Sequence, residues 1–291
     1  MESSELLKKV RKIEIKTRGL SAQVFSGEYH SAFKGRGMAF SEVREYNPGD
    51  DIRSIDWNVT ARFNHPYVKI FEEERELTVM LLIDVSASGN FGTNVQFKRD
   101  LITELSAVLA FSAIENNDKA GVILFSDKIE LFIPPKKGKT HILRIIRELI
   151  NTEPKGTGTD INLALRYFNN MIKKRCIAFV ISDFMSVGYE DAIKVASKKH
   201  DLAAIRVFDP REAEMPNVGL VRFVDAETGE ASLLDSSQPN VRRDYHLWWK
   251  QAQGRTSELL NKCGIDHATF RTDLPYVQPL INLFKKRERK R

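Results

Sequence analysis

From residue 77 onward, short apolar runs alternate with longer stretches in which apolar residues recur at helical spacing. The runs at 77–83 and 176–182 are apolar at nearly every position, which indicates strands buried on both faces. Residues 96–116 and 161–173 instead carry apolar stripes at the three-to-four-residue spacing of a helix. This alternation of strands and helices predicts a doubly wound, mostly parallel α/β sheet.

The rest of this region adds further elements to the predicted sheet. The apolar runs at 121–125 and 129–133 lie so close in sequence that a tight antiparallel turn must join them. Residues 221–235 predict a hairpin, and apolar residues from Val277 onward predict a closing helix, so the chain should end in a hairpin-plus-helix elaboration. The other predicted elements are helices at 140–150, 189–200 and 241–262 and strands at 203–208 and 267–271.

The N-terminal part has a different pattern. Residues 20–76 are richer in glycine, proline and charge, and predict loops, turns and short strands. Asn47-Pro48-Gly49-Asp50 predicts a turn, because proline fixes φ and glycine allows a positive φ. We therefore expect an N-terminal irregular and β segment, 1–76, that packs on a main domain, 77–291.

Polar side chains follow the first buried strand at alternate positions. Asp84, Ser86 and Ser88 come directly after the apolar run at 77–83, at the sheet edge where open α/β folds bind their ligands. Carboxylate and hydroxyl oxygens suit a hard divalent cation. The alternative is structural, because Asp84 and Asp183 could each cap the helix that follows its strand.

Two downstream segments complete a resemblance. A glycine loop at 155–160 carries Thr157 and Thr159, and Asp183 ends a later strand. In this order the segments resemble the metal-ion-dependent adhesion site of the von Willebrand factor type A domain. The resemblance implies a divalent cation, with Mg²⁺ expected, and an open coordination position that accepts a carboxylate from a protein partner. Thr159 is preferred over Thr157 because it immediately precedes the Asp-Ile-x-x-Ala-Leu helix start. The implied ligands are Asp84, Ser86, Ser88, Thr159 and Asp183.

Residues 35–62 carry a second, longer motif: G-x-G-x-x-F, then R-x-Y-x-x-G-D-x-x-R-x-I-D-W, then A-R. This signature box resembles the bacterial domain-of-unknown-function 58 family, in which such a box precedes a type A-like domain. The family setting implies a cytoplasmic adaptor or assembly factor that works with a MoxR-type AAA+ ATPase. The box residues that we consider structural or partner-binding are Arg36, Gly37, Arg44, Tyr46, Gly49, Asp50, Arg53, Asp56, Trp57 and Arg62.

The box also allows an enzymatic alternative. Asp50, Asp51 and Asp56 could hold a divalent ion, as in a metal-dependent hydrolase or nuclease. The interspersed arginines favour internal ion pairs, and we expect Trp57 to pack against the main domain. Nucleophile-elbow and phosphate-loop motifs are both absent from the sequence. We therefore expect a binding protein without catalytic residues.

Charge and composition limit the remaining classes. The net charge is +6, but residues 285–291 carry six positive charges and one negative charge, which leaves about +1 for the rest. Nucleic-acid binding is therefore not expected, because it needs a basic face rather than a basic end. The tail should be a solvated end that can touch an acidic surface. The sequence begins without a signal-peptide pattern, has no apolar stretch of membrane-spanning length and carries only two distant cysteines, which predicts a cytoplasmic protein.

Overall fold

The computed structural model describes Arg11 and residues 39–72, 77–92, 96–224 and 231–289. The chain divides into two compact units, one at 33–77 and a larger one that includes 78–291. In the described residues, none of the helices is both long and apolar enough to cross a membrane.

The larger unit is built on a six-stranded sheet. Five neighbouring strands are parallel, and the sixth is antiparallel at one edge. The strands are β3 (Thr78–Asp84), β4 (Lys119–Phe125), β5 (Ile129–Lys136), β6 (Ile177–Ser182), β7 (Asp201–Phe208) and β10 (Asp266–Arg271). Their order across the sheet is β10-β7-β6-β3-β4-β5. The predicted doubly wound α/β fold is confirmed, including its antiparallel edge strand.

Helices cover both faces of this sheet. They are α2 (Lys98–Glu115), α3 (Lys139–Asn151), α4 (Ile161–Met171), α5 (Glu190–Lys199), α6 (Pro210–Ala213), α7 (Pro239–Lys262) and α8 (Val277–Arg289). Met80 and Leu82 of β3 lie in one apolar cluster with residues of α4 and α5. Phe179 of β6 points the other way and contacts Phe284 of α8, with their ring centroids 6.2 Å apart. Alternate residues of each buried strand therefore support opposite layers.

The smaller unit contains one element that the sequence did not predict. Strands β1 (Ala39–Glu45) and β2 (Tyr67–Glu72) pair antiparallel, and Gly49 turns the chain with φ of +112°. Between them lie a 3₁₀ turn, Ile52–Ser54, and helix α1 (Trp57–Phe63). The description of this region as loops, turns and short strands was therefore incomplete.

The C-terminal region follows the predicted elaboration, with one correction. Strands β8 (Leu220–Val224) and β9 (Ala231–Asp235) form the hairpin, and its connecting loop at 225–230 lies outside the described residues. The basic tail is not simply a solvated end, because α8 continues through it to Arg289. Arg287 is buried, forms an ion pair with Asp201 and lies 3.6 Å from Asp266.

Candidate metal site at the carboxyl edge of the sheet

Two adjacent parallel strands bring the predicted carboxylates to one edge of the sheet. Strand β3 ends at Asp84, and its neighbour β6 ends one residue before Asp183. Residues 79–83 of β3 and 177–181 of β6 are all apolar and buried, so the polar residues of the site come only where the strands leave the core. The backbone N–H of Ser86 donates to Asp84 Oδ1 at 3.0 Å, which turns the chain sharply after the strand.

Hydrogen bonds join four of the five predicted ligand residues. Ser86 Oγ lies 3.1 Å from Ser88 Oγ, and Ser88 Oγ donates to Asp183 Oδ2 at 3.0 Å. Ser182 Oγ donates to Asp84 Oδ2 at 2.7 Å. Ser182 was not predicted, although it is the last residue of an apolar strand and so lies at the same edge. Asp84, Ser86, Ser88 and Asp183 therefore form one continuous polar cluster.

Thr159, the fifth predicted ligand, lies in the loop before α4. The backbone N–H of Ala87 donates to the carbonyl of Thr157 at 3.2 Å, which places this loop against the Ser86–Ser88 segment. The Thr159 hydroxyl is buried and has no hydrogen-bond partner. A buried hydroxyl without a partner costs about 1–3 kcal/mol, and coordination to a cation would satisfy it. The observation favours Thr159 as a ligand.

Glu130 fixes the position of this threonine loop from the neighbouring β5 strand. Its Oε1 accepts the backbone N–H groups of Lys155, at 3.0 Å, and Gly156, at 2.8 Å. Asp160 then caps α4 by accepting from the N–H of Leu163 at 2.8 Å. The loop is therefore held at both ends, on either side of Thr159.

A lysine that the sequence analysis missed lies within the site. Lys98, in the first turn of α2, is only 1% exposed. Its Nζ donates to Asp183 Oδ2 at 2.9 Å and to Glu212 Oε1, on α6, at 2.5 Å. One signal was available: a lysine at the N-terminal end of a predicted helix is opposed by the helix dipole, so it needs another reason to be there.

The charges in the cluster perturb one another strongly. Burial, together with the nearby charge of Asp183, raises the pKa of Asp84 to about 6. Burial alone would raise the pKa of Asp183, but the Lys98 ammonium outweighs it and holds that pKa below its ordinary value. Burial would lower the pKa of Lys98, yet the charges of Asp183 and Glu212 raise it. Lys98 and Asp183 are therefore both charged at neutral pH.

The donor set fits a divalent cation by its chemistry. Two carboxylates and the hydroxyls of Ser86, Ser88 and Thr159 are all oxygen ligands, which Mg²⁺ prefers. Within the described ranges, no three acidic, His or Cys side chains group as ligands, so an ion here would depend on hydroxyl oxygens. A cavity of about 10 Å³, lined by Asp84, Ser88, Lys98 and Asp183 among others, adjoins the cluster. That volume holds about one water-sized sphere.

The signature box forms internal contacts in part as expected. The two terminal guanidinium nitrogens of Arg44 donate to Asp50, at 2.8 and 2.7 Å, and hydrogen bonding to Arg44 lowers the pKa of Asp50. Tyr46 is half-buried and its N–H donates to the carbonyl of Pro66. Asp56 accepts from the N–H groups of Asn58 and Val59 as the cap of α1, and lies 3.4 Å from Lys69.

The remaining residues of the signature box are exposed or lie outside the described residues. Arg53 and Arg62 are exposed, and neither forms an ion pair with any residue that the structure describes. Trp57 is 68% exposed and is not part of the core of its own unit. Arg36 and Gly37 lie outside the described residues. Asp50 and Asp56 are engaged by Arg44 and by α1, and Asp51 accepts from the N–H of Arg53, so each acidic group has a local structural partner.

Comparisons with known proteins identify relatives of unknown function. The family described as "Protein of unknown function DUF58" matches residues 42–255. "Uncharacterized protein Rv1480" of Mycobacterium tuberculosis is 28% identical over 99% of this chain and 92% of that protein. "Uncharacterized protein YeaD" of Bacillus subtilis is 28% identical over 38% of this chain and 25% of that protein. Among solved structures, the conserved hypothetical protein BatB from Bacteroides thetaiotaomicron aligns with 73% of this chain and 99% of its own, at 18% identity and a TM-score of 0.48.

Proposed function

We propose that this chain, which belongs to the DUF58 family of proteins of unknown function, is a metal-dependent protein-binding module with a von Willebrand factor type A-like domain. One observation carries the proposal. Asp84, Ser86, Ser88 and Asp183 form a continuous hydrogen-bonded cluster at one sheet edge, and a neighbouring loop contributes a buried Thr159 hydroxyl without a partner.

The residues of this cluster have distinct roles in the proposed site. Asp84 and Asp183 supply negative charge, whereas Ser86, Ser88 and Thr159 supply neutral oxygen atoms. When bound, a divalent cation would offer a remaining coordination position to a carboxylate on a protein partner, because Mg²⁺ commonly keeps positions occupied by exchangeable water. Burial of the cluster strengthens such a contact, since charges interact more strongly away from bulk water.

We propose an adaptor or assembly factor that works in the cytoplasm with a MoxR-type AAA+ ATPase. The resemblance to the family setting supports this choice of partner, and the resemblance of the site to that of type A domains supports recognition rather than catalysis. The hydrolase alternative has no observation in its favour, because Asp50 is bonded to Arg44 and Asp56 caps a helix.

The test measures metal binding and metal-dependent capture on the full chain. Titration calorimetry with Mg²⁺ should give a binding isotherm, and affinity capture from native lysate should retain a MoxR-type AAA+ ATPase with Mg²⁺ but lose it with EDTA.

Ser86→Ala should weaken metal binding without unfolding the chain, and Asp84→Ala should weaken it further because an anionic ligand is lost. Ser106→Ala is the matched control, since Ser106 is buried on α2 and its hydroxyl has no partner. Capture that persists in EDTA, or an Asp84→Ala variant that still binds metal fully, would contradict the proposal.

A further inference from the structure

We infer that Lys98 competes with the metal for Asp183. Its ammonium holds Asp183, and a divalent ion that binds this carboxylate has to displace the ammonium, which then stays bound to Glu212. The inference rests on the proposed function, because it concerns the regulation of the same site. It assigns a role to two residues, Lys98 and Glu212, that lie outside the ligand set.

The geometry places the ammonium on a ligand atom. Lys98 Nζ donates to Asp183 Oδ2, the same oxygen atom that accepts from Ser88 Oγ. Asp183 Oδ1 accepts the backbone N–H of Met185 at 3.1 Å. Both oxygen atoms of this carboxylate are therefore engaged, and a cation that binds Asp183 through Oδ2 competes directly with the lysine.

Glu212 gives the displaced ammonium a place to remain. Its Oε1 accepts from Lys98 Nζ at 2.5 Å, while its Oε2 accepts the backbone N–H of Asp209 at 2.8 Å. This second bond belongs to the capping box of α6 and holds Glu212 in place. Lys98 can therefore lose Asp183 and keep one carboxylate partner, because the ammonium has three donors on a flexible stem.

The position of Lys98 is not explained by its helix. A cation in the first turn is opposed by the helix dipole, and burial of an ammonium is costly without paired charges. Two carboxylates, Asp183 and Glu212, pair with this ammonium, and Asp84 lines the same small cavity.

A purely structural role makes a different prediction. If the lysine only anchors α2 to the sheet, its removal destabilises the fold and leaves the intrinsic metal affinity unchanged. If it competes with the metal, its removal tightens metal binding. The dissociation constant of the metal therefore distinguishes the two roles, whereas the melting temperature does not.

The experiment measures Mn²⁺ binding to the full chain by electron paramagnetic resonance. Lys98→Met should lower the Mn²⁺ dissociation constant by at least about tenfold, because the ion would no longer have to displace an ammonium from Asp183 Oδ2. Glu212→Gln should raise it several-fold, since the ammonium then has Asp183 as its main anionic partner. Lys250→Met, an exposed lysine on α7, is the matched control and should leave the constant unchanged.

The outcomes separate this inference from the proposed function. If the native chain binds Mn²⁺, Asp84→Ala abolishes binding and Lys98→Met changes nothing, the inference fails and the proposed function stands. If only Lys98→Met binds Mn²⁺, the competition is supported and the metal dependence of the native chain is contradicted. If neither the native chain nor the Lys98→Met variant binds Mn²⁺, both the inference and the proposed function are contradicted. Should Lys98→Met not fold, Glu212→Gln decides: weaker binding supports the competition, and unchanged binding overturns it.

Discussion

An added Cβ at Gly156 would overlap the side chains of Ser126 and Asp127 in the turn between β4 and β5. The Cβ of an alanine there would lie 1.7 Å from Asp127 Oδ1 and 2.2 Å from Ser126 Oγ. We expect Gly156→Ala to lower the free energy of unfolding by about 1–3 kcal/mol, the usual range for overpacking. The substitution also displaces the loop that carries Thr159, so Mg²⁺ binding should weaken with it. Urea unfolding and calorimetry measure the two effects.

Gly254 is the control for this prediction, because the same substitution there should have the opposite sign. It lies within α7, and an added Cβ would meet no atom within 4 Å. Gly254→Ala should therefore raise stability by about 0.5–1 kcal/mol through helix propensity alone. A loss of stability at position 254, or none at position 156, would contradict the packing described here.

The buried imidazole of His200 should make the free energy of unfolding depend on pH. Burial, with smaller contributions from the charges of Lys199 and Arg175, lowers its pKa from 6.5 to about 4. Between these values the unfolded chain binds a proton that the folded chain does not, so stability falls as pH drops from about 6.5 towards 4. The difference corresponds to about 3 kcal/mol, at about 1.4 kcal/mol per pKa unit. Urea unfolding at a series of pH values measures the slope.

His200→Leu isolates this contribution from that of the carboxylates, which also titrate in acid. The leucine keeps an apolar contact with Phe168, whose ring lies 4.4 Å from the imidazole. The variant should lose stability less steeply than the native chain between pH 6.5 and 4. Parallel pH profiles for the two proteins would show that the buried imidazole is not the cause.

The candidate site was predictable from sequence only where it depends on local order. Asp84, Ser86 and Ser88 follow one buried strand and Asp183 follows another, so parallel pairing alone brings them together. Lys98 and Glu212 are 114 residues apart and meet through the packing of two helices onto the sheet. No local pattern indicates that this pair meets, so the contact between the two side chains escaped prediction.

At the scale of elements, the strands were the most predictable features and α1 the least. Buried strands such as β3 and β6 have continuous apolar interiors, and polar residues mark their carboxyl ends. Helix α1 has only seven residues, with Trp, Asn, Val and Thr in its first turn, all of modest helix propensity. It forms because Asp56 caps its first N–H groups and Asn64 ends it with φ of 57°.

The buried Arg287 predicts that the end of α8 is necessary for stability. It forms an ion pair with Asp201 and donates to the carbonyl of Leu202 at 3.2 Å. Arg287→Met would leave the partly buried Asp201 without its cation, and removal of one partner of a buried pair costs about 3–5 kcal/mol. Thermal and urea unfolding of the full chain measure this loss.

Lys286→Met provides the comparison on the same helix. Lys286 is exposed, and substitutions at exposed positions usually change stability by less than about 0.5 kcal/mol. Equal effects of the two substitutions would mean that Arg287 is solvated, as the sequence alone suggested. A large effect confined to Arg287 also means that deletion of residues 285–291 is a poor test of electrostatic partner binding, because it removes a structural anchor.

At the scale of the whole molecule, a Trp57 variant distinguishes two roles of the signature box, packing against the main domain and binding a partner. The sequence led us to expect that it packs against the main domain, which predicts a loss of about 3–5 kcal/mol on truncation. With 68% of its surface exposed, the side chain has little buried area to lose. We therefore expect Trp57→Ala to change the free energy of unfolding by less than about 1 kcal/mol.

Trp249→Ala is the matched control, because Trp249 is half-buried on α7 and lies 5.1 Å from the ring of Phe208. It should cost roughly 2 kcal/mol, below the full-burial range because part of the ring is exposed. Exposed tryptophan is enriched at protein interfaces, so Trp57→Ala should reduce partner capture while the fold and Mg²⁺ binding persist. Capture unchanged by Trp57→Ala, together with a loss of several kcal/mol, would instead establish the packing role that the sequence predicts.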